Sequence, residues 1–101
     1  MSTVLASPHK LIHPYIESIE GVCGGEPTIA GTRISVSLIA DLHNKGAEAD
    51  EIVARYPLLN HAQVYDALSY YYENRDEIDQ YIYANTKEGI LEKYKEAPWL
   101  R

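Results

Sequence analysis

The chain is short of thiols, of long apolar runs and of positive charge, and each shortage removes a class of function. One cysteine, Cys23, stands in 101 residues, so no internal disulfide forms, and four histidines without a second thiol give no zinc spacing. A reducing compartment is the simplest expectation. No apolar run reaches the roughly 18 residues of a membrane span, and the first residues lack a charged region followed by an apolar stretch. We expect a cytoplasmic protein with no membrane partner. Lys and Arg number 9 against 15 Asp and Glu, a formal charge of −6, and the imbalance is local. Residues 35–83 set Asp41, Glu48, Asp50, Glu51, Asp66, Glu73, Asp76, Glu77 and Asp79 against Lys45, Arg55 and Arg75. A surface of that sign is repelled by a nucleic-acid backbone.

The most informative stretch runs from Gly24 to Val36, G-G-E-P-T-I-A-G-T-R-I-S-V. Glycines and a proline break two short apolar runs, which is the composition of a loop between extended segments. It lacks both phosphate-binding spacings, G-x-x-x-x-G-K-[ST] and G-x-G-x-x-G. Gly24, Gly25, Pro27, Gly31 and Thr32 are therefore read as a structural loop joining a short β arm to a helical part, with Arg33 as the one residue there that invites a functional test. Tyr15 to Glu20 has the mixture of a short strand, and Thr28 to Ile34 that of a second. Two strands are marginal alone and need a third strand or a packed helix; with no further strand in the chain the partner could come from a second copy, and a homodimer is expected.

Downstream the spacing turns helical. Ser35 reads as an N-cap for a first helix with Val36, Ile39 and Leu42 on its apolar side, ended by Gly46. A second helix spans about Glu48 to Tyr56, buries Ile52, Val53 and Tyr56, and stops at Pro57. Asn60 with Gln63 forms a capping box opening a third helix whose Val64, Ala67, Leu68, Tyr71 and Tyr72 share one side. Asn74 with Glu77 makes a second possible box before a fourth helix with Ile78, Tyr81 and Ile82. The sequence thus divides into an arm over residues 1–14, a helical domain with its β extension over 15–83, and a tail over 84–101. The tail carries an amphipathic helix over Lys87 to Ala97, with Ile90, Leu91 and Tyr94 on one side, then Pro98 and Trp99.

The second helix, the short turn and the third helix have the lengths of a helix-turn-helix, and the first helix completes a three-helix bundle. The third helix then presents His61, Ala62, Tyr65, Asp66, Ser69, Tyr70 and Glu73, a face with no Lys or Arg. Other constellations are weak. Asp41 with His43, and Glu73, Asp76, Glu77 and Asp79 near one bend, are ordinary helix-surface groups, and His9, His13, His43 and His61 are scattered. No enzyme activity, metal or cofactor is expected.

Tyr15 to Ile82 resembles the DUF433 family of small prokaryotic proteins. The resemblance rests on Gly24-Gly25-x-Pro27-x-Ile29-x-Gly31-Thr32-Arg33-Ile34-x-Val36, then Gly46, Glu51-Ile52, Tyr56-Pro57-x-Leu59, Val64, Ala67-Leu68, Tyr71-Tyr72 and Glu77-Ile78-Asp79. It implies a mainly α, homeodomain-like three-helix bundle with helix-turn-helix, a short N-terminal β extension and extra C-terminal helices. It also implies an antitoxin-like role beside a PIN-like nuclease toxin, and no catalytic set. Glu48 stands where the family often has a capping Ser, and the tail from Lys87 lies outside the pattern. Two functions follow. One is a DNA-binding antitoxin dimer on operator DNA, with Arg33, Lys45 and Arg55 at phosphates and Gln63 and Tyr65 in a groove. The other is a protein-interaction module without DNA binding, whose acidic helices and tail residues Ile90, Leu91, Tyr94 and Trp99 cover a partner protein.

Overall fold

The computed structural model describes residues 12–94. Strand β1 (Ile16–Ser18) pairs antiparallel with β2 (Pro27–Ile29), placing Ile16 opposite Ile29 and Ser18 opposite Pro27. Pro27 sits at the strand start, where its missing N–H costs least. The connection is a 3₁₀ turn over Cys23–Gly25 in which all three residues have positive φ. Two of them are glycines, which adopt that geometry without a Cβ clash.

The second strand is shorter than its composition suggests. It stops at Ile29 because the chain reverses there: Gly31 has φ +79, the Thr32 hydroxyl donates to the Ile29 carbonyl at 2.8 Å, and the Ile29 N–H donates to the Ile34 carbonyl at 2.9 Å. Thr28 and Ser35 then form an isolated bridge. Gly31 and Thr32 thus sit in the reversal, and the loop delivers Ser35 to the start of the first helix.

Helix α1 (Val36–Asn44) begins with the Ser35 hydroxyl accepting from the Leu38 N–H at 3.1 Å. It ends at Gly46, φ +101, with the Ala47 N–H donating to the Leu42 carbonyl at 3.0 Å, a Schellman closure. Helix α2 (Ala49–Arg55) opens at Glu48, whose N–H donates to Glu51 at 2.8 Å. Helix α3 (His61–Glu73) carries a full capping box: Gln63 N–H to Asn60 at 2.9 Å and Asn60 N–H to Gln63 at 2.8 Å. Helix α4 (Arg75–Ala84) starts at the expected break, but without the expected box. The Asn74 amide instead donates to the Tyr70 carbonyl at 3.0 Å, and Glu77 accepts from the Tyr70 hydroxyl at 3.3 Å. Helix α5 (Lys87–Tyr94) follows a turn so tight that a Cβ on Gly89 would lie 2.0 Å from the Tyr83 carbonyl oxygen.

Helix α3 is the spine of this mainly helical chain. It packs on α1, α2, α4 and β1, while α1 also touches β2 and α4. Ile16, Ile29, Val36, Ile39, Ile52, Leu59, Val64, Ala67, Tyr70, Tyr71 and Ile78 make one core. Polar groups are satisfied inside it: Tyr71 donates to Asp79 at 2.8 Å and accepts from Asn44 at 3.0 Å. Among the described residues no buried side-chain polar atom lacks a partner, as folded interiors require. No helix among them is long and apolar enough to cross a membrane.

Candidate interaction surface

The two flanks of α3 differ from the sequence expectation in opposite ways. Asp66, Tyr70 and Glu73 recur at i, i+4 and i+7 and were expected on the exposed side. Tyr70 is instead 2% exposed, because the residues entering β1 lie across this flank. The His13 ring is buried there, with Nδ1 2.8 Å from Asp66 and Nε2 2.6 Å from Glu73. The Tyr15 N–H donates to the other Asp66 oxygen at 2.9 Å, and His13 meets the Tyr70 ring edge-on at 5.3 Å. Burial opposes charge on His13, yet the hydrogen bonds and negative charge of Asp66 and Glu73 together outweigh it and raise its pKa above the ordinary 6.5. Burial also pushes the Tyr70 phenol up to about 12, with Glu77 adding to it. The sequence gives little hint of this closure, since His13 and Asp66 are 53 residues apart and neither carries a local pattern.

The opposite flank is open. His61, Tyr65, Leu68 and Tyr72 recur at i, i+4, i+7 and i+11 along α3, neighbours on one helical surface. Tyr72 was expected in the core and is 53% exposed, Tyr65 is 59% exposed, and Leu58 in the preceding turn is 83% exposed. Tyr72 falls at the rim of the apolar stripe, where its hydroxyl reaches water and polar partners. That hydroxyl is 2.7 Å from His43 Nε2 of α1, and the two rings meet at 84°. His61 Nε2 lies 2.6 Å from Asp50 of α2. Arg75 rests 5.6 Å from the centroids of both Tyr71 and Tyr72, so its charge is already engaged over aromatic faces. Bordered by His43, Asp50 and Tyr65 lies an open groove of about 420 Å³, also lined by Ala47, Glu48 and Leu68 among others. The surface offers tyrosine rings and imidazoles fixed by hydrogen bonds, with carboxylates and no lysine. It can bury apolar area and exchange directional hydrogen bonds.

The other sequence-selected residues do not converge on one site. Arg33 is exposed on the turn between β2 and α1, where its carbonyl accepts from the Cys23 thiol at 3.1 Å. Lys45 and Arg55 share a shallow depression with Leu42 and Glu51, and Lys45 pairs with Asp41 at 3.0 Å. Gln63 spends its side chain on the Asn60 cap. Tyr65 lies in the groove on the far side of Gly46 and Ala47, which line both depressions. Ile90 and Leu91 are exposed on α5. Tyr94 closes that helix, its side chain outside the described residues, as is Trp99. The pairs His43–Tyr72 and His61–Asp50 were not singled out beforehand; the periodic spacing of His61, Tyr65 and Tyr72 on α3 was the available signal.

Comparison with known proteins places this arrangement. The crystal structure of a DUF433 member protein from Anabaena variabilis is 34% identical and superposes with a TM-score of 0.66 over 72% of each chain. None of the curated proteins matches. The family described as "Protein of unknown function (DUF433)" matches residues 16–71, which takes in the β hairpin, the loop and α1 to α3 as far as Tyr71. The chain belongs to the DUF433 family.

Proposed function

We propose that this chain is an antitoxin-like regulatory protein that acts by protein contact, with the open flank of α3 as its docking surface and a PIN-like nuclease as the partner class implied by the family resemblance. The observation that supports it is the composition of that flank: exposed Tyr65 lines a groove with His43 and Asp50, and exposed Tyr72 and His61 are hydrogen-bonded to those two groove residues. Tyrosine-rich, lysine-poor surfaces are the chemistry of protein interfaces. A homodimer is part of the proposal: the sheet has two strands, β2 is bridged on its outer side by Ser35, and the β1 edge is the one offered to a second copy.

DNA binding stands second. Its favourable observation is that Lys45 and Arg55 border one depression, so two cations could meet neighbouring phosphates. Against it, Asp41 and Glu51 lie beside them, Gln63 is committed to a cap, and the helix-turn-helix reading face would include Asp66 and Glu73, which hold His13. Base reading depends on uncommitted side chains at the groove.

Coexpression with the product of the neighbouring reading frame tests both readings. The expected result is copurification of a PIN-like protein that is lost when Tyr65 and Tyr72 are both changed to Ala, with no salt-dependent shift of upstream DNA. A low-salt DNA shift abolished by Lys45→Ala with Arg55→Ala would reverse the ranking.

A further inference from the structure

His13 has an acceptor at each ring nitrogen, and that decides its protonation. A neutral imidazole carries one N–H and one lone pair, so it satisfies one carboxylate and turns a lone pair toward the other. Nδ1 at 2.8 Å from Asp66 and Nε2 at 2.6 Å from Glu73 are both satisfied only by imidazolium. The groups facing the ring are these two carboxylates and the Tyr70 ring, all from α3, with the Tyr70 hydroxyl turned to Glu77 of α4. The backbone beside the ring is tied to the same carboxylate through the Tyr15 N–H, at 2.9 Å.

We propose that the segment entering β1 is a proton-gated latch: imidazolium at His13 holds it on α3, and loss of that proton releases it and uncovers Asp66 and Tyr70. This device concerns the flank opposite the docking surface and does not depend on that reading. The sign follows from linkage. A group raised above its unfolded value of 6.5 lends its full contribution below that pH and loses it as pH climbs through the folded-state midpoint. Docking is therefore tight in mildly acidic solution and loosens on the alkaline side. Each pH unit by which the midpoint exceeds 6.5 corresponds to a tenfold loss of docking across the transition.

The test is NMR titration of the intact 101-residue chain, following the His13 ring protons and the protection of the Tyr15 amide relative to its intrinsic exchange rate. The expected result is a His13 midpoint above 6.5 and Tyr15 protection that falls in step with it. Glu73 is largely exposed, so Glu73→Gln keeps the fold while lowering the midpoint and moving release to lower pH. In His13→Gln the Tyr15 amide is weakly protected at every pH. A His13 midpoint at or below 6.5 in the wild type, or Tyr15 protection that ignores the midpoint, overturns the latch. The wild type and Glu73→Gln decide this even if His13→Gln does not fold.

Discussion

The two flanks of α3 are made of similar residues put to different ends. Each offers tyrosine, a carboxylate or histidine partner, and helical spacing, yet one is sealed by His13 and Tyr15 while the other faces a groove. What separates them is chain supply. The residues leading into β1 must cross α3 to reach the hairpin, and they cover whatever flank lies on that path. No described segment crosses the other side, so tyrosines of the same type stay at the surface. Residue type alone does not mark a functional surface here; the path of the remaining chain does.

If this contrast is right, truncation should separate the flanks most sharply at Tyr70. Removing a fully packed aromatic costs about 3–5 kcal/mol, and losing Tyr70 also removes the hydroxyl that Glu77 accepts from and the ring that His13 packs against. Tyr70→Ala should therefore shift the urea midpoint severely or abolish folding. Next comes the latch. The Asp66 carboxylate is 12% exposed and accepts from both His13 and the Tyr15 N–H. Asp66→Asn should cost about 1.5–3 kcal/mol, the worth of hydrogen bonds to a charged group. Because His13 is charged only below its raised midpoint, that cost should be largest near pH 6 and shrink as pH rises through the midpoint. Urea unfolding at three pH values measures it, and a pH-independent difference would mean that the His13 charge adds nothing.

The loop supplies a smaller effect of a different kind. Nothing lies within 4 Å of a Cβ built on Gly31, so bulk is tolerated and only the backbone resists. At φ +79 a β-branched side chain costs about 1–2 kcal/mol. Gly31→Val should destabilise by that amount, Gly31→Asn by less because asparagine tolerates the left-handed region, and Arg33→Ala should leave thermal unfolding unchanged. Equal loss in the Val and Asn variants would point to something other than conformation.

How far the sequence could be read follows from the range of each interaction. The Ser35 cap, the Asn60–Gln63 box and Gly46 were legible because each is completed within a few residues, and all three form. The break at Asn74 was legible too, but not its chemistry, since Glu77 is taken by Tyr70 and Asn74 turns back to a carbonyl. Thr28 to Ile34 has the β-branched residues of a strand, and although Gly31 and Thr32 read as loop residues, composition could not reveal that the Thr32 hydroxyl would fold the chain back as early as Ile29. The site was half legible. Tyr65 could be placed at the surface from helical periodicity, whereas Tyr70 and Tyr72 were exchanged, because the burial of one depends on His13 and the exposure of the other on how α1 presents His43.

The finest test of the contrast compares Tyr65 with Tyr70, five positions apart on one helix. Tyr65 meets only the tilted His61 ring, at 6.5 Å, among the described ring contacts, and it is 59% exposed. Tyr65→Ala should change the unfolding free energy by less than about 0.5 kcal/mol, as surface truncations do. If the flank is a docking surface, the same variant should weaken partner binding by about 2 kcal/mol, roughly thirtyfold, the scale of an interface aromatic at a hot spot. Calorimetric titration alongside thermal unfolding separates the two quantities. A stability loss approaching that of Tyr70→Ala would show that the open flank is holding the fold together, and the groove would then be a gap in packing with no claim to a partner.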